Sequence, residues 1–393
     1  MQSISLASET ISEFELSRAA EFLTSGKRLT KGEETLRFEE EFAAAVGAKH
    51  AVFVNSGSSA NLLAVAALKE SGRLRNNIAV CPAVSWVTTV TPLMHLGFDV
   101  ILCDSEAASL GVDPEQLERI FRTSRPSLLV LVHVLGHPND LRRILELCRE
   151  YDVLLVEDTC EALGTISTDN LWLGTAGVAG TFSFYYGHHI STIEGGMVVT
   201  SDFDLWQLML SMRSHGWSRD LSPEVQESLV SLFEVDEFRN LYTFYSPGFN
   251  FRSTDFQAFI GRMQLERLAD IVTRREENFE VYARHLPGFW RQSTHQKTLS
   301  SFAFGTAVQN RVDLARTLLK EGIESRPLVC GNIGRHPFWT KRHQTPPLPV
   351  ADFVHDQGMY LPNHASLSAE DVERVANVLL EVGKPAFPGT EVP

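Results

Sequence analysis

The chain reads as an α/β protein, with a large parallel-sheet domain followed by a smaller α+β domain. Three observations predict this. Short runs of Val, Ile and Leu alternate with helix-length stretches from about residue 33 to residue 158, the pattern of a sheet covered on both faces. Near residue 255 the alternation stops and a long charged helical stretch begins. The 393 residues are enough for two domains and a large core.

The first element, "EETLRFEEEFAAAVG", puts Leu36, Phe38, Phe42 and Val46 near helical spacing and stops at Gly47, a residue suited to a helix C-terminus. "HAVFVN" then reads as a buried strand and "GSSANLLAVAALKESG" as the next helix, with Ser58 or Ser59 able to cap it. Strands follow at "IAVCP", "DVILCD", "SLLVLVHV" and "VLLVED", separated by helices at "WVTTVTPLMHLG", "DPEQLERIF" and "NDLRRILELCREY". Pro114 falls near a first helical turn, where its missing N–H costs nothing. Further on, "STDFQAFIGRMQLERLADIVTRREENFEVYARHL" reads as one long helix or a helix pair, "SAEDVERVANVLLEVG" as a closing helix and "KPAFPGTEVP" as a frayed tail. The division predicted is a large domain, residues 1–255, led by an N-terminal helical segment, and a small C-terminal domain, residues 256–393.

Composition narrows the function. A hydrophobic content of 44% with 21% charged residues is ordinary for a globular protein, and no apolar run approaches the ~20 residues that span a bilayer. The net charge of −14 argues against a nucleic-acid partner, whose phosphates most of the surface would repel. The N-terminus, "MQSISLASETISEFELS", lacks a basic head followed by an apolar block, so no secretion signal and a cytoplasmic location are expected. Cys81, Cys103, Cys148, Cys160 and Cys330 are scattered, without the spacing of a zinc or iron–sulfur site, and read as small buried hydrophobes. No metal is expected.

Three features stand at the carboxyl ends of the strands, where ligands of such sheets collect. "NSGSSAN" joins a strand to a helix, so first-turn N–H groups and serine hydroxyls converge as in a phosphate cradle; such turns also serve as plain caps. "VLLVEDTCEALG" ends a strand with Glu157 and Asp158, followed by Glu161. Asp158 is either a strand end meeting solvent or the partner of a protonated ring nitrogen in a heteroaromatic cofactor. In "TFSFYYGHHISTIEGG", Ser183 offers a hydroxyl to a phosphate, and His188 and His189 sit on the turn leaving the strand. A histidine pair is more often structural than catalytic, and no third metal ligand lies nearby.

These motifs, together with "TKGEETLRFEEEFAAAVGAKHAVFVNSGSSAN", "EGGMVVT" and "GFNFRSTDFQAFIG", resemble in order those of the DegT/StrS family of sugar aminotransferases. The resemblance runs from about Lys31 to Gly261 and more loosely to the end. It implies the pyridoxal-phosphate-dependent transferase fold of type I, that of aspartate aminotransferase. Gly57, Ser58 and Ser183 would hold the cofactor phosphate, Asp158 the pyridinium nitrogen, and Trp86 of "AVSWVTT" the ring face, though Trp86 also reads as helix core. Glu161 matches a position near the cofactor. Asn250 of "GFNFR" would reach across from a second subunit, which implies a homodimer with shared active sites. His215 and Arg219 of "SHGWSRD", with Arg252, are assigned to substrate anions, as arginine forks suit.

One departure matters most. The family turn reads S-F-x-x-x-K, and its lysine holds the aldehyde cofactor covalently; here Ser183 matches the serine and His188 stands at the lysine position. Lysine is absent between Lys69 and Lys297. An imidazole cannot form a stable imine but can take and return a proton near neutral pH. The substitution resembles the pyridoxamine-phosphate-dependent sugar dehydratases of the family, of the kind without an iron–sulfur cluster. It implies loss of the C3 hydroxyl from a nucleotide-linked 4-keto-6-deoxyhexose, with GDP as the nucleotide, with His188 as acid and base and L-glutamate renewing the pyridoxamine form. An aminotransferase with a displaced lysine, a cofactor-binding subunit without catalysis and a plain nucleotide-sugar binding module are the alternatives.

Overall fold

The structure, a computed structural model, describes residues 3–388. Five strands come first: β1 (His50–Val54), β2 (Ile78–Pro82), β3 (Asp99–Cys103), β4 (Leu128–Val132) and β5 (Leu154–Asp158). A two-residue β6 (Ile166–Ser167) precedes β7 (Ala179–Ser183) and β8 (Gly196–Thr200). Seven of these form one sheet in the order β1-β8-β7-β5-β4-β2-β3. All neighbours pair in parallel except around β8, which is antiparallel to both β1 and β7.

Strand β4 shows why the sheet forms. All five residues of "LLVLV" are buried, and successive side chains of a strand point to opposite faces. Leu128, Val130 and Val132 join the core built on the helix Gly57–Glu70. Leu129 and Leu131 join the core built on the helices Pro114–Ser124 and Leu141–Tyr151. A third core is aromatic: Phe38 and Phe42 of the helix Glu33–Val46 meet Phe53, Phe182 and Phe184, mostly edge to face. Because Phe182 and Phe184 both point into this core, Ser183 between them faces the other way, toward the strand end described below. Leu36 does not share the face expected of it. It is 52% exposed, since two residues along a helix turn it most of the way round from Phe38.

The expected helix or helix pair is two helices, Asp255–Glu266 and Leu268–His285. The first packs on Glu33–Val46. The second packs, with Arg311–Lys320 and Ala369–Val382, on a small antiparallel sheet. That sheet contains β10 (Phe304–Ala307), β11 (Arg326–Pro327) and β12 (Gly358–Leu361), while β9 (Gln296–Thr298) pairs with β6. Ile4 is buried in the same core and bridges Ile323. The tail is ordered where described rather than frayed: Lys384 and Ala386 bond the backbone of Gln309 and Ala307, and Ala386 is buried. The expectation for residues 389–393 lies outside the described residues. Among the described residues, no helix is long and apolar enough to cross a membrane.

Candidate active site

The carboxyl ends of β1, β4, β5 and β7 open onto a cavity of about 640 Å³, which the small sheet closes with Arg326 and Tyr360. Gly57, Ser58, Trp86, Asp158, Glu161, Ser183 and His188 all line it.

At the end of β1 the helix Gly57–Glu70 begins. Its cap is Ser56, not Ser58 or Ser59: the Ser59 N–H donates to Ser56 Oγ at 3.1 Å. The N–H groups of Gly57 and Ser58 lack an intrahelical partner, and with the helix dipole they favour an anion. A Cβ at residue 57 would lie 2.5 Å from Ser183 Cβ and 3.0 Å from Cys160 Sγ. Glycine there is what lets β7 and the helix start meet. Gly196 of β8 is similarly constrained, since a Cβ would lie 2.4 Å from the Ser56 carbonyl.

Asp158 does not meet solvent; it is 5% exposed. Its Oδ2 accepts from Asn61 Nδ2 at 2.8 Å and Thr89 Oγ1 at 2.7 Å, and its Oδ1 from the Cys160 N–H at 3.2 Å. Trp86 precedes the helix Val87–His95 and, at 52% exposed, is not helix core. Its indole offers an apolar surface to the cavity that Asp158 also lines.

The His188 ring is held by its Nδ1, 2.7 Å from the Cys160 carbonyl. A carbonyl only accepts, so Nδ1 carries the proton and Nε2 is the basic nitrogen of the neutral ring. Burial pulls the imidazole down to about 4; the Arg275 charge adds to this, while the Cys160 carbonyl and Asp158 oppose it. The ring packs 5.2 Å from that of Phe302. Glu161 accepts from the Leu135 N–H at 2.9 Å, and burial pushes its carboxyl up to about 7. His189 does not line the cavity; it is buried, with its Nε2 3.1 Å from the Ser300 carbonyl.

No lysine lines the cavity among the described residues. The Lys69 ammonium caps the Leu96 carbonyl at the far end of its helix, and Lys297 bonds Asn170 Oδ1 at 2.8 Å on the surface. Cys160 lines the cavity and Cys330 is partly buried, so the reading of all five cysteines as core holds fully for Cys81, Cys103 and Cys148.

The remaining four expected residues do not line this cavity. Asn250, Arg252, His215 and Arg219 gather at the β1 edge of the sheet. Arg252 bridges Val54 and lies 3.4 Å from His215 Nε2, and Asn250 bridges Ser214. Arg252 and Arg219 line a second cavity with Lys31 and Asp220, which form an ion pair at 2.9 Å.

Several lining residues were not legible in the sequence. Thr89, and Asn61, which is buried and does not itself line the cavity, stand in quoted motifs but show their purpose only through Asp158. Ser5, Leu6 and Ala7 enter from the N-terminus, where the Leu6 N–H donates to Glu324 at 3.1 Å. Phe302, Arg326 and Tyr360 come from distant small-sheet segments that carry no motif.

The profile of the DegT/DnrJ/EryC1/StrS aminotransferase family matches residues 9–380. The chain is 32% identical to the GDP-4-keto-6-deoxy-D-mannose 3-dehydratase of Yersinia pseudotuberculosis, over 95% of this chain and 97% of that protein. It is 29% identical to the GDP-perosamine synthase of Caulobacter vibrioides, over 89% of this chain and 90% of that one. A solved structure of Escherichia coli GDP-4-keto-6-deoxy-D-mannose 3-dehydratase with bound hydrated pyridoxal phosphate superposes with a TM-score of 0.88 at 31% identity. It covers 96% of this chain and 100% of that one.

Proposed function

The chain belongs to the DegT/DnrJ/EryC1/StrS aminotransferase family, and from that premise we propose that it is a pyridoxamine-phosphate-dependent nucleotide-sugar 3-dehydratase. Its substrate is a GDP-linked 4-keto-6-deoxyhexose, GDP-4-keto-6-deoxy-D-mannose, and its product the 3,6-dideoxy-4-keto sugar. The observation that carries the reading is His188: an imidazole held by its Nδ1, with its Nε2 unbonded and no lysine lining the cavity among the described residues. The similarity to the dehydratases of Yersinia pseudotuberculosis and Escherichia coli supports the choice of substrate.

The residues fit a pyridoxal or pyridoxamine phosphate. Gly57 and Ser58 N–H groups, with Ser183, form a cradle for its phosphate, and the buried Asp158 carboxylate stands where a ring N–H⁺ needs a partner. Trp86 covers one ring face and Glu161 stands near the ring. Held there in its amine form, such a group would supply an amine for the C4 ketone of the sugar and a ring able to take up electrons. His188 Nε2 takes a proton from the carbon bearing that amine and hands it to the departing C3 hydroxyl. A single neutral base placed between the two sites serves both transfers. L-Glutamate supplies the two electrons and leaves as 2-oxoglutarate, and its nitrogen is released as ammonia.

Asn250, His215, Arg219 and Arg252 serve the cavity of a second copy in a homodimer. Their gathering at one sheet edge, away from their own cavity, supports this, as do Leu36 and Phe244 exposed nearby. Arg252 and Arg219 give substrate phosphates a fork of donors.

Two outcomes check the proposal. Incubated with GDP-4-keto-6-deoxy-D-mannose and L-glutamate, the protein is expected to release 2-oxoglutarate and ammonia in equal amounts with a 3-deoxy ketosugar. A 4-amino sugar as product would show an aminotransferase instead. Gly57→Ala is expected to weaken pyridoxal phosphate binding by roughly tenfold or more, about 1.4 kcal/mol, because the added Cβ displaces Ser183. Fluorescence titration with the cofactor measures it, and unchanged affinity would remove the cradle from the account.

A further inference from the structure

Arg275, on the helix Leu268–His285, is 1% exposed and has no carboxylate within ion-pair distance among the described residues. A buried cation without a counter-ion is costly, and its usual resolution is a partner of opposite charge. Here the partners are carbonyls. Nη1 donates to Phe302 and Asn363 at 2.8 Å each and to Ser301 at 3.3 Å, while Nη2 lies 3.4 Å from the His188 carbonyl. Asn363 Nδ2 returns a bond to the Arg275 carbonyl at 3.1 Å. The guanidinium carbon lies 5.9 Å from the centre of the Phe302 ring, which itself packs 5.2 Å from the His188 ring. Arg275 thus joins the His188 loop, the Ser301–Phe302 segment and Asn363 by bonds that a neutral amide could meet only in part.

We propose that Arg275 is a positioning residue for His188: its fork fixes the backbone of the histidine loop against Phe302, and its charge stands behind the imidazole. This rests on the role given to His188 above. Fixing the loop holds Nε2 aimed into the cavity, and a misplacement of about 1 Å at a reacting group costs roughly a hundredfold in rate. The charge acts on the proton. A fixed cation disfavours imidazolium, so His188 rests as a base and gives up an acquired proton readily. The other titratable or charged groups that line the cavity with the ring are Asp158 at the end of β5, Cys160 and Glu161 in the turn after it, Tyr185 and Tyr186 of its own loop, Glu194 before β8, and Glu324, Arg326 and Tyr360 across the cavity; His189 adjoins it in the chain. Asp158 opposes the effect, and burial works with it.

The test is an NMR titration of the His188 ring in the full-length chain free of cofactor, with the signal assigned by its loss in His188→Gln. Arg275→Gln, shown folded by circular dichroism, is expected to raise the His188 midpoint by about one pH unit. Arg275→Lys keeps the charge and loses the fork. It is expected to leave the midpoint in place and to lower kcat about tenfold at unchanged KM. Should Arg275→Gln not fold, the lysine variant decides alone. An unmoved midpoint in folded Arg275→Gln, a raised midpoint in Arg275→Lys, or wild-type kcat in Arg275→Lys would overturn the proposal. The titration needs no sugar, so it stands or falls apart from the dehydratase reading.

Discussion

His188→Gln is expected to lose sugar dehydration by roughly a hundred- to ten-thousand-fold while still binding pyridoxal phosphate. A glutamine amide has the reach of Nε2 rather than Nδ1, so the 2.7 Å bond to the Cys160 carbonyl is given up, but the loop keeps its backbone bond from the residue 188 N–H to the Tyr185 carbonyl. What it cannot do is accept and return a proton. The pH dependence gives the claim a second hold. The imidazole stands at about 4, so His188 is neutral above that value and becomes charged as pH falls through it. The base form is therefore present at neutral pH and lost on the acid side. Wild-type kcat/KM should fall as pH drops toward 4, and the residual rate of His188→Gln should lack that limb. Steady-state rates across the acid range measure both, and turnover of the variant within tenfold of wild type would assign the proton to another group.

Asp158→Asn is expected to cost roughly a hundred- to thousand-fold in turnover, comparable to removing one preorganised polar group from an active site. A carboxylate can stabilise a protonated ring nitrogen; an amide cannot. The variant should also be less stable. Asp158 accepts from Asn61, Thr89 and Cys160, and an amide N–H₂ set among those donors leaves at least one of them unsatisfied, at about 1–3 kcal/mol. A lower Tm together with weaker cofactor binding is the expected pair of results. Wild-type turnover in a variant that binds the cofactor normally would show that Asp158 serves only the fold.

The sheet was legible because its strands are continuous apolar runs, as in β4, and because helices of regular length separate them. The direction of β8 was not, since "GMVVT" is as apolar as a parallel strand and carries no mark of its orientation. The cavity-lining residues Gly57, Ser58, Asp158, Glu161, Ser183 and His188 lie in three motifs at strand ends, where a ligand site is expected on topological grounds, while Trp86 lies in a fourth stretch that only the family resemblance marked. Arg275 shows the limit. In sequence it stands in "VTRREENFEVY", which reads as a solvated charged helix face, and Arg274 beside it is indeed half-exposed in an ion pair with Glu277. Only the packing of that helix on Phe302 and Asn363 sends one arginine of the pair inward. Asn250 and Arg252 mark a different limit: one chain gathers them at the β1 edge, and their proposed use needs a second copy.

The central claim is that His188 replaces a lysine and the cofactor is held without a covalent bond to the chain. Borohydride treatment of the protein loaded with pyridoxal phosphate, followed by mass spectrometry, tests it most directly when paired with absorbance spectra before and after L-glutamate. The account predicts no pyridoxyl group fixed to any residue, and conversion of the bound aldehyde to the amine form by glutamate. A pyridoxyl-lysine anywhere in the chain would contradict it.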